Sequence, residues 1–204
     1  MSDTHKRIRR GRPKTFDRQH VIDVAMSSYW SDGVEQVSLN EICRRAGVAK
    51  PGVYREFGGE DGLMEETLVR YAESVLSPAL ELIGSDRPFR EVFDGLVGFM
   101  TDPDRGTPQG CLLIKMHLSR SRLGPHTRAR MDALRQRSLE AYANWFDRAK
   151  TRGEVRSSVP ASVAAAFLDT HFTTLLMQMS LGEDPDSLRA QGRLALVGLT
   201  AQTP

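Results

Sequence analysis

A short run around residue 50 carries side chains suited to hydrogen bonding with DNA. Lys50 and Arg55 can donate to the acceptor atoms of guanine or to phosphate oxygens, and the Tyr54 hydroxyl suits a phosphate oxygen. Asn40, earlier in the chain, can pair with a base edge or a phosphate. Each of these residue types is also common on an exposed helix, so their role depends on the elements that position them.

The surrounding residues are typical of two short helices joined by a turn. The segment SLNE at residues 38–41 is a capping box, in which the hydroxyl and the carboxylate bind free amide groups at a helix start. Gly47 ends this helix. Pro51 suits the first turn of the next helix, which extends to about Phe57, because a missing amide hydrogen costs no hydrogen bond there.

Two short helices with a turn at AGV have the spacing of a helix-turn-helix. The second helix of such a pair is narrow enough to enter the major groove, while the first crosses the phosphate backbone. A plain helical hairpin has a similar pattern, so the spacing alone leaves both interpretations open.

The longer segment from Phe16 to Leu63 resembles the DNA-binding domain of the TetR family of transcriptional regulators. The resemblance consists of FDRQHVIDVAMSSYWSDGVEQVSL, then NEICRRAGVAKPGVYREF, and a Leu in the fourth helix. It implies a DNA-binding repressor that leaves a palindromic operator when a small molecule binds, with Gly52 allowing the backbone to approach DNA. The second helix of the pair is called the recognition helix and the first the bracing helix. The resemblance places on the groove-facing side of the recognition helix Lys50, Pro51, Gly52, Tyr54 and Arg55. It places at the start of the bracing helix Ser38 and Asn40.

Two carboxylates depart from the family pattern. Glu56 stands where a tyrosine or histidine is common, and Glu60 where a lysine is common. Carboxylates repel phosphate, so we expect a DNA-facing surface that is less positive than usual in the family.

The amino-terminal segment KRIRRGRPK, residues 6–14, is strongly basic. Its core, Arg10-Gly11-Arg12-Pro13, is similar to an AT-hook, whose extended Arg-Gly-Arg lies in the narrow minor groove of A·T-rich DNA. A solvated basic tail has the same composition. Because the segment directly precedes the helix-turn-helix, we expect an arm that contacts DNA through Arg10 and Arg12.

Hydrophobic spacing predicts an all-α protein of about nine helices, three of them in the amino-terminal unit. Beyond that unit, helices are expected at about 87–101, 111–120, 126–152, 160–181 and 185–201, with Pro78 kinking or ending a helix that starts at Asp61. The predicted domains are a basic arm at 1–15, a DNA-binding domain at 16–60, and an effector-binding and dimerisation domain at 61–204.

The second domain contains few motifs. The segment GCLLIKMHLS resembles the sixth helix of a TetR subgroup that also has a GRPKTFD beginning. Aromatic, methionine and histidine side chains on its inner helices could line an adaptable ligand pocket, although residues at helical spacing more often form a plain core. The pocket residues predicted on this basis are Met100, Cys111, Met116, His117, Trp145, Phe146, Phe167 and His171.

The two cysteines differ in expected role. Cys111 follows a glycine at a helix start, where the helix dipole can lower a thiol pKa and favour reaction with electrophiles or oxidants, although a small buried residue is the commoner case. Cys43 lies on the inner stripe of its helix, so packing is the better account.

The last two helices are rich in small and apolar residues. In the TetR family the corresponding helices of two subunits form a four-helix interface, and such a two-fold dimer matches a palindromic operator. The interface residues predicted on this basis are Leu168, Leu176, Met179 and Leu196.

Composition narrows the possible classes of protein. The first 58 residues hold eleven Lys and Arg against seven Asp and Glu, whereas the whole chain carries a net charge of only +2. The sequence shows no secretory signal pattern and no apolar run near the roughly 20 residues that cross a bilayer, so we expect a cytoplasmic protein. It also shows no metal-ligand spacing, so we expect no cofactor or metal.

Two other functions are consistent with an all-α chain that has a basic end. An enzyme would need a nucleophile with its base, a phosphate-binding glycine loop or paired carboxylates, and the motifs supply none of these. A protein that coats A·T-rich DNA through its arm would need no ligand. A discrete footprint on DNA distinguishes a regulator from such a coating protein.

Overall fold

The computed structural model describes residues 16–156 and 158–200 of the 204-residue chain. Within these ranges the chain is helical, with one isolated β-bridge between Val155 and Thr200. The helices are α1 (Arg18–Asp32), α2 (Leu39–Ala46), α3 (Lys50–Phe57), α4 (Glu60–Tyr71), α5 (Ser77–Gly84), α6 (Phe89–Met100), α7 (Leu112–Leu118), α8 (Pro125–Thr151), α9 (Ala161–Ser180) and α10 (Pro185–Leu199). The all-α prediction is confirmed.

Helices α4 and α5 form one continuous helical segment through a π-helical turn at Ala72–Leu76. Pro78 lies in the first turn of α5, where its missing N–H removes no bond from that helix. Counted as one, α4 and α5 bring the described residues to nine helices. Pro78 therefore does not end the helix; the wider turn immediately before it accommodates the proline.

Ser38, Gly47 and Pro51 lie at the helix boundaries that the sequence predicts, and α1 also starts with a side-chain cap. The Asp17 side chain accepts a hydrogen bond from the His20 amide at 3.0 Å at the start of α1. Gly47, at the end of α2, has φ of 65°, a left-handed conformation that favours glycine. The turn between α2 and α3 thus forms at the predicted AGV.

Two hydrophobic cores hold the helices together. The first core contains side chains of the four helices α1, α2, α3 and α4, together with Leu112 and Met116 of α7 and Met131 and Leu134 of α8. The second joins α5, α6, α9 and α10 with the later part of α8. The first core therefore extends across residue 60, the predicted end of the DNA-binding domain.

The start of α8 is fixed to α4 by Asp61. Its carboxylate accepts from the amides of His126 and Thr127, each at 3.0 Å, and from the Thr127 hydroxyl at 2.6 Å. A Cβ at Gly124 would lie 2.2 Å from the Asp61 Cγ atom, so only glycine fits there.

No helix within the described ranges is long and apolar enough to cross a bilayer.

Candidate nucleic-acid interface and ligand cavity

Helix α3 presents one polar face and is anchored by one apolar side chain. Val53 is fully buried, while Lys50, Pro51, Tyr54 and Arg55 are exposed. Tyr54 keeps 52% of its surface accessible, a high value for an aromatic residue. The helical period places Pro51 and Arg55 roughly opposite Val53 and Tyr54 on the flank of the helix, whereas Lys50 is exposed at the helix start.

Gly52 is required by packing within the protein. A Cβ at this position would lie 2.9 Å from two carbon atoms of the Phe16 ring. That ring also packs on Phe57, with centroids 6.1 Å apart. The missing Cβ of Gly52 thus leaves room for the Phe16 ring, and the close approach to DNA expected for Gly52 stays a prediction.

Charges near α3 are partly paired within the protein. Arg55 Nε donates to a Glu56 carboxylate oxygen at 2.9 Å, and Lys50 Nζ lies 6.0 Å from the centre of the Tyr54 ring. Glu60 lies in the first turn of α4, where a negative charge favours the helix dipole. Glu56 therefore reduces the positive charge at α3 through Arg55, in line with the less positive surface expected.

Helix α2 carries a network of ion pairs. Ser38 caps the helix by accepting from the Glu41 amide at 3.3 Å, and Asn40 is exposed in the first turn. The Glu41 carboxylate binds Arg44 and Arg45, each at 2.7 Å, and these hydrogen bonds lower the pKa of Glu41 to about 2. The hydroxyl half of the predicted capping box is thus present, but the Glu41 carboxylate binds these arginines, and among the described residues no helix-start amide donates to it. Arg10 and Arg12 of the predicted arm lie outside the described residues.

A cavity of about 110 Å³ lies among α4 to α9. Two of the predicted pocket residues, Met100 and Cys111, line it. Its walls are largely apolar, and Trp30 of α1 belongs to them. Sequence reasoning missed most of its polar lining residues, namely Tyr71, Arg105, Ser138, Asp169 and Thr173.

Six predicted pocket residues lie elsewhere. Met116, Trp145 and Phe146 are fully buried in the two cores. They are aromatic or sulfur-containing packing residues at helical spacing, the alternative that sequence patterns cannot distinguish from a pocket. His117 lines a second cavity of about 290 Å³, which shares Leu113, Ile114, Asp169 and Thr173 with the first.

The remaining two predicted pocket residues form a pair on the outer side of α9. Phe167 is 42% exposed and stacks on the His171 ring, with centroids 5.9 Å apart. Burial lowers the pKa of His171, and its Nε2 atom has no hydrogen-bond partner among the described residues. This pair lies at the surface and not in the cavity.

Cys111 is paired with Tyr71 across the cavity wall. The Tyr71 hydroxyl and the Cys111 Sγ atom are 3.1 Å apart. Burial raises the pKa of the Cys111 thiol, although the Tyr71 hydroxyl and the amides of Leu113 and Ile114 act in the opposite direction. The expectation that the helix start would lower this pKa is wrong, because burial outweighs the helix dipole.

Arg105 enters the cavity from the loop before α7. One terminal nitrogen donates to the carbonyl oxygens of Pro108 and Gly110, at 2.7 and 2.6 Å. The guanidinium carbon lies 5.7 Å from the centre of the Phe99 ring. The segment TDPDRGTPQG, residues 101–110, has the proline and glycine content of a loop, and its single arginine is the sequence signal that could have indicated a site residue.

The predicted interface residues belong mainly to the interior of the protomer. Leu168, Met179 and Leu196 are buried in the second core, and Leu176 is half-buried beside it. Helical sequence shows an apolar stripe but not which of two apolar faces turns inward. The exposed apolar side chains of the same helices are Val163, Phe167, Met177, Leu194 and Val197.

Comparisons with known proteins cover both parts of the chain. The family described as "Bacterial regulatory proteins, tetR family" matches residues 21–67, and "Tetracyclin repressor-like, C-terminal domain" matches residues 86–194. The HTH-type transcriptional repressor ComR of Escherichia coli is 28% identical over 171 residues, 78% of each chain. The uncharacterized HTH-type transcriptional regulator YezE of Bacillus subtilis is 24% identical over 184 residues, 88% of this chain and 94% of that protein.

Solved structures show the same architecture. The chain superposes on a cysteine-substituted TetR family regulator, CifR, in complex with 26-base-pair operator DNA, with a TM-score of 0.75, 25% identity, and 91% and 98% of the two chains covered. Reduced NemR of Escherichia coli gives a TM-score of 0.78 at 17% identity, with 91% and 97% covered, and supports the fold alone. With an exposed recognition helix and family matches along most of its length, the chain belongs to the TetR family of DNA-binding transcriptional regulators.

Proposed function

We propose that this regulator is a repressor that binds a palindromic operator as a homodimer and leaves the DNA when a small molecule occupies the cavity beside Arg105. The observation that carries the proposal is the position of Trp30. It belongs to α1 and to the core of the DNA-binding helices, and it also forms part of the cavity wall. A ligand in the cavity thus contacts the DNA-binding unit directly.

The DNA contacts are assigned to the exposed face of α3 and to the start of α2. Tyr54 and Lys50 contact phosphates, Arg55 contacts a base edge or a phosphate, and Asn40 adds a contact from the bracing helix. Ser38 and Pro51 lie at the helix starts that face DNA, and Gly52 allows the backbone of α3 to approach it. The basic arm at 1–15, with Arg10 and Arg12, adds minor-groove contacts, and its GRP sequence together with the GCL segment suggests a subgroup of the family.

The dimer is assigned to the exposed apolar side chains of α9 and α10. Leu194 and Val197 are 74% and 56% accessible in the single chain. Exposed apolar side chains grouped on adjacent helices favour contact with another protein surface. A two-fold contact of this kind places two recognition helices on successive half-sites of a palindrome, and the protein then acts on DNA in the cytoplasm.

Selection of genomic fragments on the purified full chain, followed by footprinting, tests this function. We expect a few fragments that share a palindrome, with two protected half-sites about one helical turn apart. Diffuse protection of A·T-rich DNA without a shared sequence would contradict it and favour a coating protein. Release of the bound fragment by a small molecule, in the same assay, tests the effector step.

A further inference from the structure

One end of the cavity is polar and consists of Trp30, Tyr71, Arg105 and Cys111, here called the polar end. The Trp30 and Tyr71 rings meet edge to face with centroids 5.1 Å apart. The Tyr71 hydroxyl lies 3.1 Å from Cys111 Sγ. Arg105 lines the same cavity, and its positive charge acts to lower the pKa of both Tyr71 and Cys111 against the dominant effect of burial.

Two buried N–H groups of the polar end have no acceptor among the described residues. These are Nε of Arg105 and Nε1 of Trp30. Both atoms can only donate, so the partner that is missing in each case is an acceptor. A buried donor without a partner costs free energy, and a ligand that supplies an acceptor removes this cost.

Arg105 is held in place before any ligand arrives. Its terminal nitrogen is fixed by the carbonyl oxygens of Pro108 and Gly110, and its planar group lies over the Phe99 ring. The loop itself is seated on α9, since a Cβ at Gly110 would lie 2.8 Å from the Ser180 Cβ atom. Such preorganisation lowers the entropy cost of binding.

The charge of the polar end is not neutralised by the protein. Within the described ranges no carboxylate forms an ion pair with Arg105; Asp102 acts on it only at longer range, and burial lowers the pKa of the guanidinium. Asp169, the acidic residue of the cavity, is bound to Arg135 at 3.1 Å. A half-buried cation without an anionic partner favours an anionic ligand.

The rest of the wall is mainly apolar and includes Val75, Leu80, Leu96, Ile114 and Phe172; its polar residues are Ser138, Tyr142, Asp169 and Thr173. We propose that the cavity binds an apolar monocarboxylic acid whose carboxylate accepts from Arg105 Nε at the polar end, with Trp30 Nε1 as a second donor there. The hydrocarbon part lies along the apolar wall. This proposal rests on the proposed function in one respect, that the effector occupies this cavity.

Calorimetric titration of the full chain without DNA tests the ligand class. The probes are hexanoate, octanoate and decanoate, each compared with the alcohol and the amine of the same chain length. We expect each acid that binds to do so about 10- to 100-fold more tightly than its alcohol, the factor of a charge-assisted hydrogen bond. The amine should bind more weakly than the alcohol.

Two variants assign the preference to the polar end. Arg105→Gln should reduce the affinity for the acid to that for the alcohol, while the affinity for the alcohol stays unchanged and shows that the cavity is intact. Trp30→Phe should weaken binding of the acid by a smaller factor, about 2- to 10-fold. The matched control is Arg137→Gln, since Arg137 is exposed on α8 and away from the cavity wall.

Three results would overturn the proposal: equal affinity for acid and alcohol, tighter binding of the amine, or an acid preference that survives in Arg105→Gln. Failure of all probes to bind would also overturn it. Because DNA is absent from the titration, these results leave operator binding untouched. Conversely, tight acid binding that does not release operator DNA would support the ligand class and contradict the effector step of the proposed function.

Discussion

The Nζ atom of Lys115 donates to the backbone carbonyl oxygen of Trp30 across 2.5 Å. This carbonyl lies in the last turn of α1, where oxygens lack partners within the helix. Leu113 and Ile114, the neighbours of Lys115 on α7, line the cavity. Helix α7 therefore forms a cavity wall and also caps α1, which gives a ligand a short path to the DNA-binding helices.

Replacing Lys115 by methionine tests this link. The hydrogen bond joins the charged, half-buried Lys115 to a carbonyl of the buried Trp30, so Lys115→Met should lower the free energy of unfolding by about 1.5–3 kcal/mol. Urea denaturation measures the change. Lys50→Met is the matched control, because Lys50 is exposed on α3, and it should reduce DNA affinity while leaving stability unchanged. Equal stability of all three proteins would show that the contact contributes nothing.

The contact between Gly52 and Phe16 predicts a non-additive pair of substitutions. Alanine would favour α3 by about 1 kcal/mol over glycine, yet its Cβ would lie 2.9 Å from the Phe16 ring. We therefore expect Gly52→Ala to destabilise the protein, and to stabilise it when Phe16→Ala is also present. Urea denaturation of the four proteins should give a coupling of about 0.5–3 kcal/mol. Simple additivity would mean that the ring moves away at no cost.

Asp61 should stabilise the protein in a pH-dependent manner. Burial raises its pKa, but bonds from Thr127 and His126 outweigh burial and bring the pKa below its ordinary 3.8. A carboxyl group whose pKa is lower in the folded than in the unfolded protein stabilises the fold at pH values above its unfolded-state pKa. This stabilisation is lost as the pH falls through the folded-state pKa. Asp61→Ala should therefore cost about 0.5–2 kcal/mol at neutral pH and progressively less in acid.

Thermal or urea unfolding across the acid range measures this difference. Asp86→Ala is the control, because Asp86 is exposed between α5 and α6. A cost of Asp61→Ala that stays constant down to the most acidic pH would refute the role of the ionised carboxylate.

The proposed dimer face predicts opposite outcomes for neighbouring residues on α10. Leu194 is exposed, so Leu194→Glu should give a folded monomer because a carboxylate cannot be buried without a partner in the interface. Leu196 is buried in the protomer, so Leu196→Glu should unfold the chain. Sedimentation and circular dichroism distinguish the two. If the wild-type protein is a monomer at micromolar concentration, the proposal that a homodimer binds a palindromic operator is wrong.

Sequence patterns predicted the helices and the DNA-binding unit better than the cavity. Caps and stops act locally, so Ser38, Gly47 and Pro51 indicated helix ends that the structure reproduces. The cavity is lined by Trp30, Tyr71 and Arg105, which are far apart in the chain, and a local sequence pattern cannot predict that such residues lie close together. Inner and outer apolar stripes also look alike in sequence, which is why Leu168 and Leu196 were assigned to the wrong face.

The central claim is that α3 reads operator DNA with its exposed face, which carries Tyr54 and Arg55. The direct measurement is a fluorescence titration of labelled operator, identified by fragment selection, with the wild type, Tyr54→Ala, Arg55→Ala and the surface control Arg137→Ala. Loss of Arg55 should weaken binding by about 5- to 150-fold, corresponding to about 1–3 kcal/mol, and relax specificity if it contacts a base. Tyr54→Ala should weaken binding to all sequences alike.

Circular dichroism shows whether each variant is folded, and the control should bind with wild-type affinity. Glu56→Gln, which frees Arg55 from its ion pair and removes a negative charge, should bind more tightly than the wild type. The account predicts weaker operator binding by both folded α3 variants and unchanged binding by Arg137→Ala. Wild-type affinity in both Tyr54→Ala and Arg55→Ala would contradict it.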